Sequence, residues 1–468
     1  MSSKTMSIKK GIMSSILAQV ASICVNFIIN LIVPKFISEL EYSYWQTYML
    51  YVGYVGVLHF GLLDGIVLRY SQYNYDELDK ERIRSQFRIL IFLNGLFALI
   101  TTTAALIIAK ADFKYIFIYV AIGIITKNLF TYVSYTLQMT NRITTYAALI
   151  IAQRLFFGLA VIVLLVLRVK SFHLYCIADL AADMFGFLFC YKQNRKLYIG
   201  KTIPFKETLS EFKVNVLSGV ILLIANWSSM LLVGSAKMTV QWHWNELTFG
   251  KVSFAFSLTN LFLVFVSAIS VVLFPSLKRM EQSELPKVYT DIRNIISPVL
   301  FYVMLFYFPG CWILDTWLPK YNESLVYLGI LLPVIVFTSK VSLLTNNYLK
   351  AYRKEKIMLV INLSAVITAF LLFYISAYII NNLKLLLIMV VIVIMLRSIV
   401  SEIAVMKIIN VKFFKEFIIE AGVTIIFVVL TCFCNLIEGF LIYFAVLLVY
   451  TIFNRKMIFA YFKKLIRR

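Results

Sequence analysis

Residues 385–406 read LLLIMVVIVIMLRSIVSEIAVM. The stretch is long enough to cross a bilayer as one helix, which needs about 20 apolar residues. It is almost wholly aliphatic, yet Arg397 and Glu402 sit inside it. A soluble core does not need so long an apolar run, and a lipid-facing helix does not tolerate those two charges. The stretch therefore reads as a membrane span whose charged positions are turned into protein.

The same reading extends over the whole chain. Of 468 residues 61% are apolar, with a mean hydropathy of +0.87; soluble domains hold about 45–50%. Fourteen probable helices follow one another, at about 11–33, 42–68, 88–109, 114–136, 146–167, 171–191, 214–236, 249–274, 294–314, 324–349, 357–380, 385–406, 416–434 and 437–453. If the last two form a re-entrant hairpin, twelve spans remain. The basic start, residues 1–10, precedes an apolar run too long for a cleavable signal, and no small-residue cleavage site closes it.

Charge distribution orients these spans. The net charge is +22, which in a soluble chain would suggest nucleic acid, but here it is cut into short blocks between apolar runs. With the N-terminus inside, 32 of the 45 Lys and Arg fall in cytoplasmic segments, nine in outer segments and four within spans. Basic loops resist translocation, so both termini are expected in the cytoplasm. The basic tail 455–468 is amphipathic and suited to anionic headgroups. No loop exceeds about 25 residues, which leaves no room for a separate soluble catalytic domain.

An internal echo links the two halves. Glu41-Tyr42-Ser43-Tyr44 follows the first span and Glu246-Leu247-Thr248-Phe249 the seventh, 205 positions on. Lys127 lies mid-span 15 residues before Arg142, and Lys340 mid-span 14 residues before Lys354. Six spans separate the halves, so the repeats run parallel, an architecture in which transporters place a site between them.

The intramembrane charges are the candidate functional groups. A Lys, Arg or Asp at mid-bilayer costs about 2.5–3.5 kcal/mol. Lys127, Arg154, Lys340 and Arg397 are the basic ones; Asp64, Asp179, Asp183, Glu402 and Glu420 are acidic. Arg397 and Glu402, five apart, lie about 140° around one helix and are poorly placed for each other. Asp179 and Asp183, four apart, share a face and repel if both are charged. They hold a shared proton, face a cation, or pair with Lys127 or Arg154. Asp64 reads as an interfacial partner of Arg69, and Glu420 as a carboxylate snorkelling near a helix start. Buried cations suit an anionic cargo, because Lys and Arg hold phosphate oxygens strongly where water is partly excluded.

Other features point to nothing catalytic. Gly200-Lys201-Thr202 lacks the upstream glycine of a phosphate loop, whose place Arg195 holds. His59, His173 and His243 are scattered, and no cofactor or metal is expected. The six cysteines lie in or beside apolar runs and read as small core hydrophobes. Trp242-His243-Trp244 reads as an interfacial anchor, and Gly61-x-x-x-Gly65 as a close helix contact.

Three blocks carry a family resemblance. The first runs from Pro34-Lys35-Phe36 through Glu41-Tyr42-Ser43-Tyr44 to Phe60-Gly61-Leu62 and Arg69. The second runs from Phe249-Gly250-Lys251-Val252-Ser253-Phe254-Ala255 to Ser267-Ala268-Ile269-Ser270-Val271-Val272-Leu273-Phe274-Pro275. The third is Gln138-Met139-Thr140-Asn141-Arg142. The sequence resembles the polysaccharide-transporter branch of the multidrug/oligosaccharidyl-lipid/polysaccharide (MOP) superfamily, and within it the O-antigen flippases of the Wzx type. It departs at Trp45, where that family often has glycine in a tight turn.

The resemblance implies an all-α polytopic membrane protein of two six-helix lobes around a central cavity, with two further C-terminal helices. The expected divisions are 1–212, 213–406 and 407–468. It implies alternating access, and a cargo of undecaprenyl diphosphate carrying an oligosaccharide repeat unit for O-antigen or other surface polysaccharide. Lys127 and Lys340 are the expected diphosphate ligands, with Arg154 and Arg397 shaping a cationic cavity. Asp179, Asp183 and Glu402 are the expected proton- or sodium-coupling groups. Membrane lipids and the polysaccharide polymerase machinery are the further expected partners, in a bacterial cytoplasmic membrane. A multidrug or organic-cation antiporter of the same superfamily is the alternative, and a membrane glycosyltransferase or polymerase a more distant one.

Overall fold

The computed structural model describes residues 17–109, 111–411 and 413–455. The basic N-terminal segment and nearly all of the basic tail fall outside the described residues. Those described are helical, with no strand among them.

In chain order the spans are α1 (Leu17–Phe36), α2 (Glu39–His59), α3 (Leu62–Tyr70), α4 (Lys80–Ile108), α5 (Ala111–Met139), α6 (Ile143–Val166) and α7 (Phe172–Phe189). There follow α8 (Phe205–His243), α9 (Glu246–Arg279), α10 (Leu285–Trp317), α11 (Pro319–Leu331) and α12 (Val334–Ala351). The last are α13 (Glu355–Ile379), α14 (Leu383–Ile409), α15 (Phe414–Phe433) and α16 (Leu436–Phe453). Among the described residues twelve helices are long and apolar enough to cross a membrane, and up to fourteen if each of two bent pairs is one span. The protein is a multi-pass membrane protein.

The irregular spans are not the ones the sequence suggested. Phe414–Phe433 and Leu436–Phe453 each qualify as a span in their own right. The broken spans are the second and the tenth. Between α2 and α3 the axis turns by 55°, at Phe60 and Gly61, whose φ angles of +52° and +84° are left-handed. Between α11 and α12 it turns by 44° at Pro333, which has no N–H to continue the ladder. Trp45, which stands where the family often has the glycine of a tight turn, is fully buried within continuous helix, as its departure from that pattern suggested.

Short polar side chains start several helices by accepting an otherwise orphaned backbone N–H. Ser38 accepts from Glu41, Asp79 from Arg82, Asn245 from Thr248, Asn382 from Leu385 and Asn435 from Glu438. The caps Ser38 and Asn245 set Glu39, rather than Glu41, level with Glu246 at the start of the two echoing helices.

Two compact units divide the chain, residues 1–227 and 228–468, and α8 runs through the boundary. At one end of the first unit, Phe87, Tyr132, Phe187, Tyr191 and Tyr198 form an aromatic core. It anchors the basic loop before α8. Arg84 donates to the carbonyls of Lys196 and Lys201, and Arg88 to that of Gly200. The glycine resembling part of a phosphate loop is thus held by arginines of its own chain. Arg142 lies 4.3 Å from the Tyr75 ring centre and donates to Asn194 Oδ1 at 2.6 Å.

The glycines of the second span make the close contact expected of them. A Cβ on Gly65 would stand 1.8 Å from the Asn215 carbonyl oxygen, and one on Gly219 would stand 2.1 Å from that of Gly61. The backbones of α3 and α8 therefore touch.

Candidate functional site

In the first unit the fourth span carries a cation and the sixth carries two acids one turn apart. The structure joins them. Lys127 Nζ lies 2.8 Å from Asp179 Oδ2 and 2.7 Å from Asp183 Oδ2. Tyr48 of α2 donates to Asp179 at 2.7 Å, and Gln153 of α6 to Asp183 at 3.1 Å. Neither partner was legible beforehand, because nothing in the sequence says which face of α2 or α6 meets α7. Lys127 bridges the two aspartates. With both acids ionised the triad carries net −1. Arg154 lies within electrostatic reach of Asp183 without bonding to it. The aspartates are buried, but the Lys127 side chain remains 25% exposed, so the triad has an open side.

The second unit repeats the plan and then closes it. Lys340, on the tenth span, pairs with Glu402 on the twelfth. It also lies 2.5 Å from Glu420 Oε2 of α15. Arg293 of α10 completes the group, 2.7 Å from Glu402 and 3.1 Å from Glu420, and Ser297 donates to Glu420 at 2.8 Å. Two cations meet two acids, so the charges cancel. Phe413 and Phe417 lay their rings over Arg293 and Lys340. Lys340 retains 0% of its side-chain surface, which leaves no room for a phosphate on it in this conformation.

Two sequence-based expectations are corrected here. Glu420 is buried inside this group and does not snorkel. Arg293 belongs to a helix that starts at Leu285, nine residues earlier than residue 294; Pro286 in its first turn is the missed signal. A third correction falls in the first unit. Arg69 turns to Glu211 at 2.5 Å and Asn215 at 2.5 Å, while Asp64 has His59 beside it.

Arg397 stands apart from both groups. It is buried at the middle of α14 and donates to Asn362 Oδ1 and Ser229 Oγ, each at 2.9 Å. Both acceptors are neutral. Among the described residues no carboxylate lies within 4 Å of Arg397, Arg154 or Lys237. Among the described residues no cluster of His, Cys, Asp and Glu is placed to hold a metal ion.

No protein-family model matches the sequence, and no curated protein matches it. Solved structures do. The lipid II flippase MurJ in an inward closed conformation superposes with a TM-score of 0.68 at 12% identity, over 95% of this chain and 99% of that one. An inward-facing multidrug-resistance MATE transporter of the MOP superfamily gives 0.62 at 12% identity, over 84% and 94%. A MOP-superfamily transporter from Pyrococcus furiosus gives 0.54 at 14% identity, over 86% and 95%. The chain has the MOP-transporter fold. In that fold the Lys127 triad and the Lys340 group are the intramembrane ion-paired clusters of the two units, and Arg397 is a buried cation outside both.

Proposed function

We propose that this chain flips a lipid-linked oligosaccharide, carried on undecaprenyl diphosphate, across the bacterial cytoplasmic membrane for surface-polysaccharide assembly. The observation that carries the reading is the set of basic side chains within helices, Arg397 above all, that lack a carboxylate. A guanidinium in low dielectric with only two neutral acceptors is an incomplete ion pair, and an anionic group completes it. A diphosphate supplies both charge and acceptor oxygens, and Arg397 and Arg154, which have no carboxylate partner among the described residues, are the residues we assign to it, with Lys127 joining only when Asp179 and Asp183 release it. Lys340 takes part only in a conformation that opens its cluster. The fold supports a flippase, since MurJ shares it.

Transport proceeds by alternating access, with both termini in the cytoplasm. A cargo of charge about −2 moving outward gains roughly 4–5 kcal/mol in a potential of about 100 mV, at about 2.3 per charge. The net negative charge of the Lys127 triad makes Asp179 and Asp183 the groups for a coupling proton or sodium ion; Glu402, fully ion-paired, is a weaker candidate.

That same negative charge favours one other reading, an organic-cation antiporter. The test that separates them is the sidedness of the lipid-linked oligosaccharide in proteoliposomes with and without the protein. Protein-dependent movement supports the flippase. No movement by folded protein, together with gradient-driven uptake of an organic cation, supports the antiporter.

A further inference from the structure

The second span breaks beside a buried pair of titratable groups that the transport reading does not use. His59 ends α2 and Asp64 lies in the first turn of α3, on either side of the 55° bend. Their side chains are each 5% exposed, and His59 Nε2 stands 4.0 Å from Asp64 Oδ2. That oxygen has no hydrogen-bond partner. An unsatisfied buried carboxylate oxygen is costly, and here it faces an imidazole nitrogen just beyond bonding distance.

The other imidazole nitrogen is committed to the backbone. His59 Nδ1 accepts the N–H of Gly61 at 3.2 Å. An accepting Nδ1 carries no hydrogen, so in the neutral ring the hydrogen is on Nε2, towards Asp64. A second proton can enter only at Nδ1. Once protonated, Nδ1 is a donor and cannot accept from Gly61. The turn at Phe60–Gly61 then loses one of its bonds, while the new imidazolium draws in Asp64. Uptake of one proton also cancels the charge of Asp64, which has no other cation within 4 Å among the described residues.

We infer that His59 and Asp64 form a proton-binding site, and that a proton bound at His59 Nδ1 releases the Gly61 N–H and resets the bend of the second span. The step forms one N–H bond at Nδ1 and breaks one O–H bond of hydronium, leaving water, and both changes reverse when the proton leaves. Of the groups packed around the pair, Tyr135 of α5 feels the Asp64 charge. Asn94 of α4 and Asn128 of α5 bond to each other, and Asn128 to the Val55 carbonyl. At the α3–α8 contact Glu211 pairs with Arg69 at 2.5 Å and with Arg82 of α4 at 3.7 Å, and Tyr70 donates to Glu211. None of these replaces His59 as the partner of Asp64.

The experiment uses the full chain in lipid nanodiscs, its native cysteines replaced. Spin labels go at two exposed positions, Leu40 on α2 and Leu68 on α3. Their separation is measured between pH of about 8 and about 4, either side of the ordinary imidazole range. Histidine-selective nitrogen NMR, with only three histidines in the chain, follows the proton itself. The expected result is a shift in separation that tracks His59 protonation and is lost in His59→Gln, whose amide oxygen still accepts from Gly61. Asp64→Asn should lower the midpoint by about one pH unit or more, a tenfold loss of proton affinity. A separation that does not change with pH in the unsubstituted protein overturns the inference, as does an unchanged shift in His59→Gln. If His59→Gln does not fold, Asp64→Asn decides: an unmoved midpoint overturns the site and a lowered one supports it.

Discussion

Arg397 and Glu402, five residues apart on α14, turn to different partners: Arg397 to the neutral side chains of Asn362 and Ser229, Glu402 to Arg293 and Lys340. One helix thus carries a fully paired acid and an unpaired cation, about 140° apart. The two should respond differently to substitution.

Arg397→Gln strands no carboxylate, so the fold should lose only the two hydrogen bonds, about 1–3 kcal/mol. On the proposed function, flipping should fall at least tenfold while the purified protein melts within a few degrees of the unsubstituted one. Arg397→Lys, which keeps the charge but not the forked donors, should recover part of the rate. Thermal melting and the proteoliposome assay on the same preparations check this. Full flipping by Arg397→Gln would remove the residue from cargo binding.

Lys340→Met should behave in the opposite way. It leaves Glu402 and Glu420 facing each other with Arg293 as their one remaining cation, and breaking a buried pair from one side costs about 3–5 kcal/mol. Adding Glu420→Gln removes the surplus charge and should restore more than half of the lost stability. The measurement is a double-mutant cycle in melting temperature. Additive losses would mean that the two residues do not interact, whatever their separation.

What the sequence disclosed and what it hid follow from the same physics. Spans are legible because lipid demands unbroken apolar runs, and among the described residues every run named from the sequence is helical. Lys127 stood out because a charge in such a run is rare. Its pairing with Asp179 and Asp183 was one of several alternatives left open: periodicity reveals the face of one helix, not which helix lies opposite. Tyr48, Gln153 and Glu420 come from helices distant in sequence, so only packing brings them to Asp179, Asp183 and Lys340. Asp64 was misjudged because Arg69 is close along the chain, whereas the turn of α3 hands Arg69 to Glu211.

The two aspartates of the first unit have different neutral partners but share Lys127. Asp179 retains a hydroxyl donor, Tyr48, when Lys127 is removed, and Asp183 retains an amide donor, Gln153. Either single Asp→Asn change leaves one acid against Lys127, a neutral pair with no charge left for an ion. If the triad binds the coupling ion, Asp179→Asn and Asp183→Asn should each abolish stimulation of flipping by a proton or sodium gradient while sparing any slow ungraded movement. Initial rates with the gradient imposed and collapsed provide the comparison. Gradient dependence intact in both variants would move the coupling site elsewhere.

The contact between α3 and α8 gives a prediction free of any functional assumption. Both would-be Cβ clashes there are with backbone atoms, the Asn215 carbonyl for Gly65, and the Gly61 carbonyl and Gly65 nitrogen for Gly219. Backbone cannot rotate aside as a side chain can, so Gly65→Ala or Gly219→Ala must push the helices apart. Overpacking of this kind costs about 1–3 kcal/mol. It would also weaken the Arg69–Glu211 pair further along the same contact. Gly95 offers the control, since a Cβ there meets nothing within 4 Å and alanine is the better helix former by up to about 1 kcal/mol. Melting temperatures should therefore fall for the first two variants and hold or rise for Gly95→Ala. Gly65→Ala melting with the unsubstituted protein would mean that α3 and α8 can separate at no cost, and the second span would then not be pinned at its bend.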